Sequence, residues 1–273
     1  MSDSAQQNYD DIAADNRQRW NTLVDTNVQY ARPWLDLDPA KARELLDPHR
    51  ITDDVAGKKV LLLAGGGGQQ SAAFAMLGAQ VTVLELSDKQ LERDQMALAH
   101  YGYTAELHQG DMRDLSRFEA ASFDMVWHPY SINFVPDVSV VFAQVARVLR
   151  PRGMYRTAWG NPFTKNTDER DWNGQGYTLK YLYQDGEMQA EDMTWDVEGE
   201  DGSITLVEGP HEFNHTLSTF INQLAAHHFA ILALWEDTSM ADKNAAPGTW
   251  AHFTAVAPPW FDVWTRYLPD VLG

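Results

Sequence analysis

Val60-Leu61-Leu62-Leu63-Ala64-Gly65-Gly66-Gly67-Gly68, answered thirteen residues later by Val81-Thr82-Val83-Leu84-Glu85, sets the architecture of this chain. A short unbroken apolar run marks a strand covered on both faces, the habit of a parallel sheet between two helical layers. The glycines let the backbone turn tightly out of that strand. A small-residue helix over 69–77 and a second strand over 81–86 then complete a βαβ unit.

The alternation continues outward. Ser87 with Gln90 three residues on has capping-box spacing and opens a helix reaching Tyr101. Thr104–His108, Phe123–Trp127 and Met154–Trp159 read as strands, and Asp137–Leu149 as a helix stopped by Arg150-Pro151-Arg152-Gly153. After 213, Leu217, Phe220, Ile221 and Leu224 make a helical face, and Phe229–Glu236 and Trp250–Val256 read as two strands that complete the sheet. The expected fold is α/β, a doubly wound, mostly parallel seven-stranded sheet formed by 58–160 and 214–273.

Two additions flank it. Residues 1–57 read as an N-terminal helical cap: a helix over 6–24 with Ile12, Trp20, Leu23 and Val24 on one side, a break over Trp34–Pro39, and a short helix over Ala40–Leu46. Between 161 and 213 the alternation fails, and Asp185-Gly186 and Asp201-Gly202 sit between aromatic or β-branched runs as hairpin turns do, which reads as an inserted β lid on the acceptor side.

Composition narrows the function. With 273 residues and 44% hydrophobic residues the chain can bury a core of its own. A formal charge of -18 repels phosphate backbones and anionic membrane surfaces, so neither nucleic acid nor membrane is an expected partner. The absence of cysteine excludes disulfides, thiolate metal sites and cysteine nucleophiles. The segment Met1–Tyr9 is polar and no run approaches a bilayer-spanning length, so a cytoplasmic address is expected.

The chemistry lies at the strand ends. Backbone amides after Leu63 face a ligand with no Cβ in the way, and the dipole of the following helix favours a negative group. Glycine turns also serve purely structural ends. Glu85, 19 residues after Gly66, ends the second strand, where a carboxylate can accept hydrogen bonds from both ribose hydroxyls. Gly110-Asp111-Met112 ends the third, offering an acceptor and an apolar surface to a purine, although an Asp there also serves as a helix cap. The fourth runs into His128-Pro129-Tyr130-Ser131-Ile132-Asn133-Phe134, an aromatic and polar loop.

From about Lys58 to Trp159 the chain resembles a class I S-adenosylmethionine-dependent methyltransferase. Val60–Gly68 is similar to the family's glycine-rich first motif, Val81–Glu85 to its ribose-binding strand, Gly110-Asp111-Met112 to its adenine motif and Val145–Gly153 to its closing arginine-valine-leucine-proline-glycine segment. Leu62 and Ala64 depart from the acidic residue and glycine usual in the first motif. The resemblance implies S-adenosylmethionine as cofactor, held by Ala64, Gly65, Gly66, Gly68, Gln69, Glu85, Leu86, Gln90, Asp111 and Met112. It also implies that N-terminal helices cover the cofactor, making Trp20, Tyr9, Arg17 and Asn21 candidates, and that a methyl group passes to a small-molecule acceptor.

Methyl transfer is an in-line displacement, so positioning and exclusion of water are the main tasks. His128, Tyr130 and His215 are the groups suited to deprotonate or orient an acceptor, each with a structural role as its counterpart. Trp172, Tyr177, Tyr181, Tyr183 and Trp195 suit an acceptor pocket or a cation cage, or simply a lid core.

Three rival readings remain. His211-Glu212-Phe213-Asn214-His215 matches the HExxH zinc pattern, but Gly209-Pro210 marks a loop boundary and a hydrolase leaves the glycine turn unexplained. A nicotinamide-dependent oxidoreductase also uses Gly66, Gly68 and Glu85, yet Ser71 stands where the third glycine belongs. A protein that binds the cofactor without turnover would tolerate the altered first motif.

Overall fold

The computed structural model describes residues 3–52, 54–187, 194–198 and 202–271, with side chains from Asp10 onward. Helices α1 (Asp3–Asp25) and α2 (Pro39–Leu46) precede β1 (Lys59–Leu63), α3 (Gln70–Met76), β2 (Gln80–Glu85), α4 (Asp88–Tyr101), β3 (Glu106–Gln109), β4 (Phe123–His128), α5 (Val138–Val148) and β5 (Leu149–Gly160). The short strands β6 (Gly186–Glu187), β7 (Thr194–Glu198), β8 (Ile204–Glu208) and β9 (Phe213–Asn214) follow, then α6 (Leu217–Ala226), β10 (Phe229–Glu236), α7 (Trp250–Val256) and β11 (Trp260–Tyr267).

Seven strands form one sheet in the order β10-β11-β5-β4-β1-β2-β3, parallel except for β11, which runs antiparallel to both neighbours. The apolar run of β1 divides between two cores. Leu61 and Leu63 pack with α5 and α6 on one face, and Val60 and Leu62 with α2, α3 and α4 on the other. That division is why the strand shows no polar alternation, since side chains two apart share a face and both faces are dry. The chain order reverses between β1 and β4, and the crevice outside the strand ends at such a reversal is where doubly wound sheets bind ligands.

The seventh strand is not where the sequence reading put it. Trp250–Val256 is the helix α7, begun by Thr249, whose side chain accepts the His252 amide at 3.4 Å. Its place in the sheet is taken by Trp260–Tyr267, whose Phe261 and Val263 face one core and Trp264 the other. Both runs are short, aromatic and β-branched, and periodicity alone does not separate a buried helix turn from a strand at that length. Strand β5 also starts at Leu149 rather than Met154, with Arg152 in the left-handed region at φ 69 and a register shift against β4.

The cap and the lid support one another. The antiparallel pair β7 and β8 places Val197 and Val207 against Leu23, Val24 and Val28, and Trp195 lies edge-on to Trp20 at 5.6 Å. Asp201, at the expected turn between those strands, lies outside the described residues. Asp185-Gly186 is not a hairpin turn: β6 pairs with the distant β9, and Asp185 accepts the Thr216 amide and the Thr219 hydroxyl, each at 2.7 Å, at the start of α6. A carboxylate there satisfies donors that a helix start leaves open. No helix among the described residues is long and apolar enough to cross a membrane.

Candidate functional site

The strand ends, the glycine turn and α1 enclose a cleft of about 660 Å³, its open mouth included. Ala64 and Gly66 form one wall, Leu84, Glu85, Leu86 and Gln90 the next, Gly110, Asp111, Met112 and Arg113 a third, and Ser131, Phe134, Val135 and Pro136 a fourth. Ile12, Ala13, Asn16 and Trp20 of α1 close it from above.

The turn is held from behind. The Gly68 amide donates to Asp94 Oδ1 at 2.9 Å, and the Ser71 hydroxyl donates to the same oxygen at 2.5 Å. A Cβ on Gly68 would stand 2.5 Å from the Arg93 carbonyl oxygen and 2.8 Å from Ala97, so only glycine lets α4 pack this closely. Ala64 lies in the left-handed region at φ 47, a conformation that disfavours any residue with a Cβ, and its carbonyl accepts the Ser131 hydroxyl at 3.1 Å. Gly65, Gly68 and Gln69 do not line the cleft; the Gln69 amide donates to the Gln29 and Arg32 carbonyls and ties the turn to the cap. Asp94 escaped the sequence reading. Its signal is the spacing Gln90, Asp94, Ala97, a buried stripe of α4 that carries two polar side chains.

Glu85 ends β2 with its side chain buried, its Oε1 accepting the Ser87 amide at 2.9 Å. Burial pushes its carboxyl up to about 7, the Ser87 amide pulling the other way. Burial likewise raises Asp94 to about 6 against the Ser71 and Gly68 hydrogen bonds. Among the described residues no cation pairs with Glu85, so its desolvated carboxyl lines the cleft with the Ser87 amide as its hydrogen-bond donor. The Ser87 hydroxyl accepts the Gln90 amide at 3.1 Å, but because Glu85 has taken the Ser87 amide the capping box forms on one side only, and Gln90 Oε1 is buried without a partner. Asp111 accepts from the Arg113 amide and guanidinium at 2.8, 2.9 and 2.5 Å. An unpaired acid, an unpartnered amide oxygen and an apolar Met112 suit a ligand bearing a diol and a purine.

Helix α1 is fastened at both ends of the cleft. Asn16, buried, accepts the His211 amide at 2.6 Å and donates to the His211 carbonyl at 3.2 Å. Arg17 and Asn21 both donate to Asp88 Oδ1 at the head of α4, and Trp20 lies edge-on to Phe134 at 5.5 Å. Tyr9 has no described side chain.

The three candidate bases fall in three different places. His128 is fully buried at the end of β4, bonded through Nδ1 to the Tyr155 hydroxyl at 3.1 Å, with Nε2 unpartnered; burial lowers it to about 3 and it does not line the cleft. His215 is buried with Nε2 unpartnered and is pushed down to about 4 by burial, Asp185 opposing. Tyr130, which also does not line the cleft, is bonded to two charged side chains, Glu212 and Lys165. The HExxH segment lies before α6, with Phe213 and Asn214 in a strand, so its histidines are not one helical turn apart. His211 instead bridges Asp15 and Glu187, each at 2.7 Å, and among the described residues no group of three or more His, Asp or Glu could hold a metal.

The lid aromatics do not form one cage. Trp172 and Tyr177 pack on His252 and Phe253 of α7, Tyr183 stacks on Phe163, and Trp195 packs on Trp20 and Tyr30. Tyr181 lines a separate groove with Tyr183.

Comparison with known proteins agrees with this geometry. Residues 61–157 match the methyltransferase domain family model. An uncharacterized methyltransferase of Bacillus subtilis, YbaJ, is 44% identical over 108 residues, 40% of this chain and 42% of that one. A ubiquinone biosynthesis O-methyltransferase of Xanthomonas oryzae pv. oryzae is 30% identical over 136 residues, 48% of this chain and 57% of that one. The chain thus spans about half the length of these relatives. Among solved structures, a putative S-adenosylmethionine-dependent methyltransferase from Listeria monocytogenes superposes with a TM-score of 0.62 at 16% identity, over 84% of this chain and 99% of that one. The [4+2]-cyclase SpnF superposes at 0.56 with 16% identity, over 92% and 94%. The fold is the one these S-adenosylmethionine-dependent methyltransferase structures share, and its first half, residues 61–157, is similar to the methyltransferase domain.

Proposed function

We propose that this chain is an S-adenosylmethionine-dependent methyltransferase acting on a small-molecule acceptor. The observation that carries the reading is the convergence of Gly66, Glu85, Gln90, Asp111 and Met112 on one cleft roofed by α1. In this reading Glu85 and Gln90 take the ribose, Asp111 and Met112 the adenine, and the turn from Ala64 to Gly66 the methionine part. Gly65, Gly68 and Gln69 act from behind by holding the turn, and the cofactor supplies an electrophilic methyl. Trp20 and Asn16 exclude water from it, which strengthens every polar contact inside.

The acceptor side is the lid, residues 161–213, and the cap, residues 1–57, covers the cofactor. A small molecule fits the relatives' names, a ubiquinone biosynthesis O-methyltransferase and, at a TM-score of 0.54, a geranyl diphosphate methyltransferase. A charge of -18 disfavours nucleic-acid and anionic-membrane partners.

Titration calorimetry with S-adenosylmethionine, followed by assay of S-adenosylhomocysteine release against a panel of small acceptors, tests the reading. Absence of cofactor binding rejects it. Tight binding without release across the panel favours a cofactor-holding protein that does not transfer the methyl, an outcome a fold shared with a [4+2]-cyclase allows.

A further inference from the structure

Three polar side chains without a part in holding the cofactor meet beside the cleft. Tyr130 donates its hydroxyl proton to Glu212 Oε2 at 2.7 Å, and Lys165 Nζ donates to the Tyr130 oxygen at 2.5 Å and to Glu212 Oε2 at 2.8 Å. The Lys165 and Glu212 side chains are only 10% and 8% exposed. Burying an ion pair this deeply adds little to stability compared with apolar residues of the same size. Such a cluster therefore invites a chemical explanation.

Its position supplies one. The Tyr130 ring lies 6.0 Å from Phe134, which walls the cleft, and the next residue, Ser131, is bonded to Ala64 of the turn. The cluster thus reaches the cleft through Phe134 and Ser131, while none of its three side chains lines the cleft itself and Lys165 alone lines the neighbouring groove. On its other side Lys165 lines a groove between 162–167 and 179–187, about 1040 Å³ with its open mouth. Asn166 Oδ1, Thr167 Oγ1 and Asn214 Oδ1 are buried without partners on residues of that groove. Unpartnered buried acceptors are uncommon in folded proteins and suit a ligand that brings donors.

Resting on the methyltransferase reading, we propose that Tyr130, Glu212 and Lys165 form the proton-accepting group of the reaction, and that the groove holds an acceptor whose nucleophile carries a dissociable proton, a hydroxyl, phenol or amine. As the acceptor heteroatom bonds to the methyl carbon, the carbon–sulfur bond breaks and its electron pair stays on sulfur. The acceptor's proton passes to the Tyr130 oxygen while the Tyr130 proton passes to Glu212 Oε2. Lys165 remains an ammonium and holds both oxygens in place. Burial, then the charge and hydrogen bond of Glu212, keep the Tyr130 phenol well above its usual range, which suits a relay rather than a resting phenolate.

The test compares the parent with Tyr130→Phe, Glu212→Gln, Glu212→Asp and Lys165→Met, reading thermal midpoint, S-adenosylmethionine affinity and S-adenosylhomocysteine release against phenols, alcohols and amines across pH. Expected are cofactor affinities within about twofold of the parent and turnover reduced by about 10²–10⁴-fold in Tyr130→Phe and Glu212→Gln, the usual worth of a positioned base. Glu212→Asp, which keeps a carboxylate, should recover part of the rate. Parental turnover in Glu212→Gln, no recovery in Glu212→Asp, losses that merely follow the thermal midpoint, or a cofactor-bound parent inactive on every protic acceptor would overturn the proposal. Failure of the parent to bind cofactor would instead reject the methyltransferase reading beneath it.

Discussion

The Gly68 amide and Asp94 are joined by a buried hydrogen bond of 2.9 Å that links the glycine turn to the middle of α4, 26 residues away in sequence. Ser71, on the helix that follows the turn, binds the same carboxylate oxygen. The turn, α3 and α4 therefore form one packed unit, and the amides that face the cleft are positioned by a residue that never touches it.

Asp94→Ala leaves the Gly68 amide and the Ser71 hydroxyl without their acceptor. An unmatched buried donor costs about 1–3 kcal/mol, so a lower urea midpoint is expected, together with weaker S-adenosylmethionine binding as the turn loosens. Asp94→Asn keeps an acceptor oxygen and should stay near the parent in both measurements at pH below about 6, where the parent carboxyl is itself protonated. Equal midpoints and affinities in Asp94→Ala and the parent would show that the turn holds itself.

Glu85 gives a pH signature. Its folded pKa of about 7 lies above the ordinary carboxylate value, so the stability it contributes is fully present below the unfolded pKa and is lost as pH rises through about 7. Glu85→Gln, which cannot ionise, should therefore gain stability relative to the parent as pH is raised across that window in the absence of cofactor. Ribose hydroxyls donate to the ionised form, so cofactor affinity of the parent should rise with pH over the same range, with proton release on binding. In Glu85→Gln the rise should vanish and affinity above pH 7 should fall by about 1.5–3 kcal/mol, the worth of a hydrogen bond to a charged group. Flat affinity in the parent, measured calorimetrically in buffers of different ionisation enthalpy, would remove Glu85 from the ribose site.

Much of this geometry was legible because burial on both faces erases polar alternation: β1, the turn, β2 and Glu85 appear in order in the sequence. The last strand was not, since α7 and β11 are both short aromatic runs and only packing on β5 separates them. Asp94 was hidden among Asp88, Glu92 and Arg93 on a polar helix whose buried stripe is visible only once α4 docks on the turn. Glu212 sits inside an HExxH pattern, and the strand that follows it, β9, takes its register from pairing with β6, a contact between residues more than 20 positions apart. Lys165 lies in an irregular segment with no periodicity to follow.

Asn16 fastens the roof of the cleft to the strap before β9 by two hydrogen bonds to the His211 backbone. Asn16→Ala removes both and leaves the His211 groups to find water. The expected result is faster dissociation of S-adenosylmethionine in stopped-flow displacement, with association little altered, because a loosened roof releases ligand more than it hinders entry. An unchanged dissociation rate would mean that the Arg17 and Asn21 contacts to Asp88 suffice to hold α1 down.

Ala64 offers a test of strain at the site itself. It sits at φ 47 between β1 and Gly65, its amide still bonded to the Leu84 carbonyl at 2.8 Å and its carbonyl to Ser131, so the conformation is fixed from both sides. An L-residue held in the left-handed region is disfavoured by about 1–2 kcal/mol, and glycine relieves this at an entropic cost of about 0.5–1 kcal/mol. Ala64→Gly should therefore stabilise the protein slightly, by about 0.5–1 kcal/mol in urea unfolding. The same change removes a methyl group from the cleft wall beside Gly66, so cofactor affinity should hold or improve. A destabilised variant would show that the Ala64 side chain, which packs against the core of Leu61 and Leu63, contributes more by burial than its backbone conformation costs.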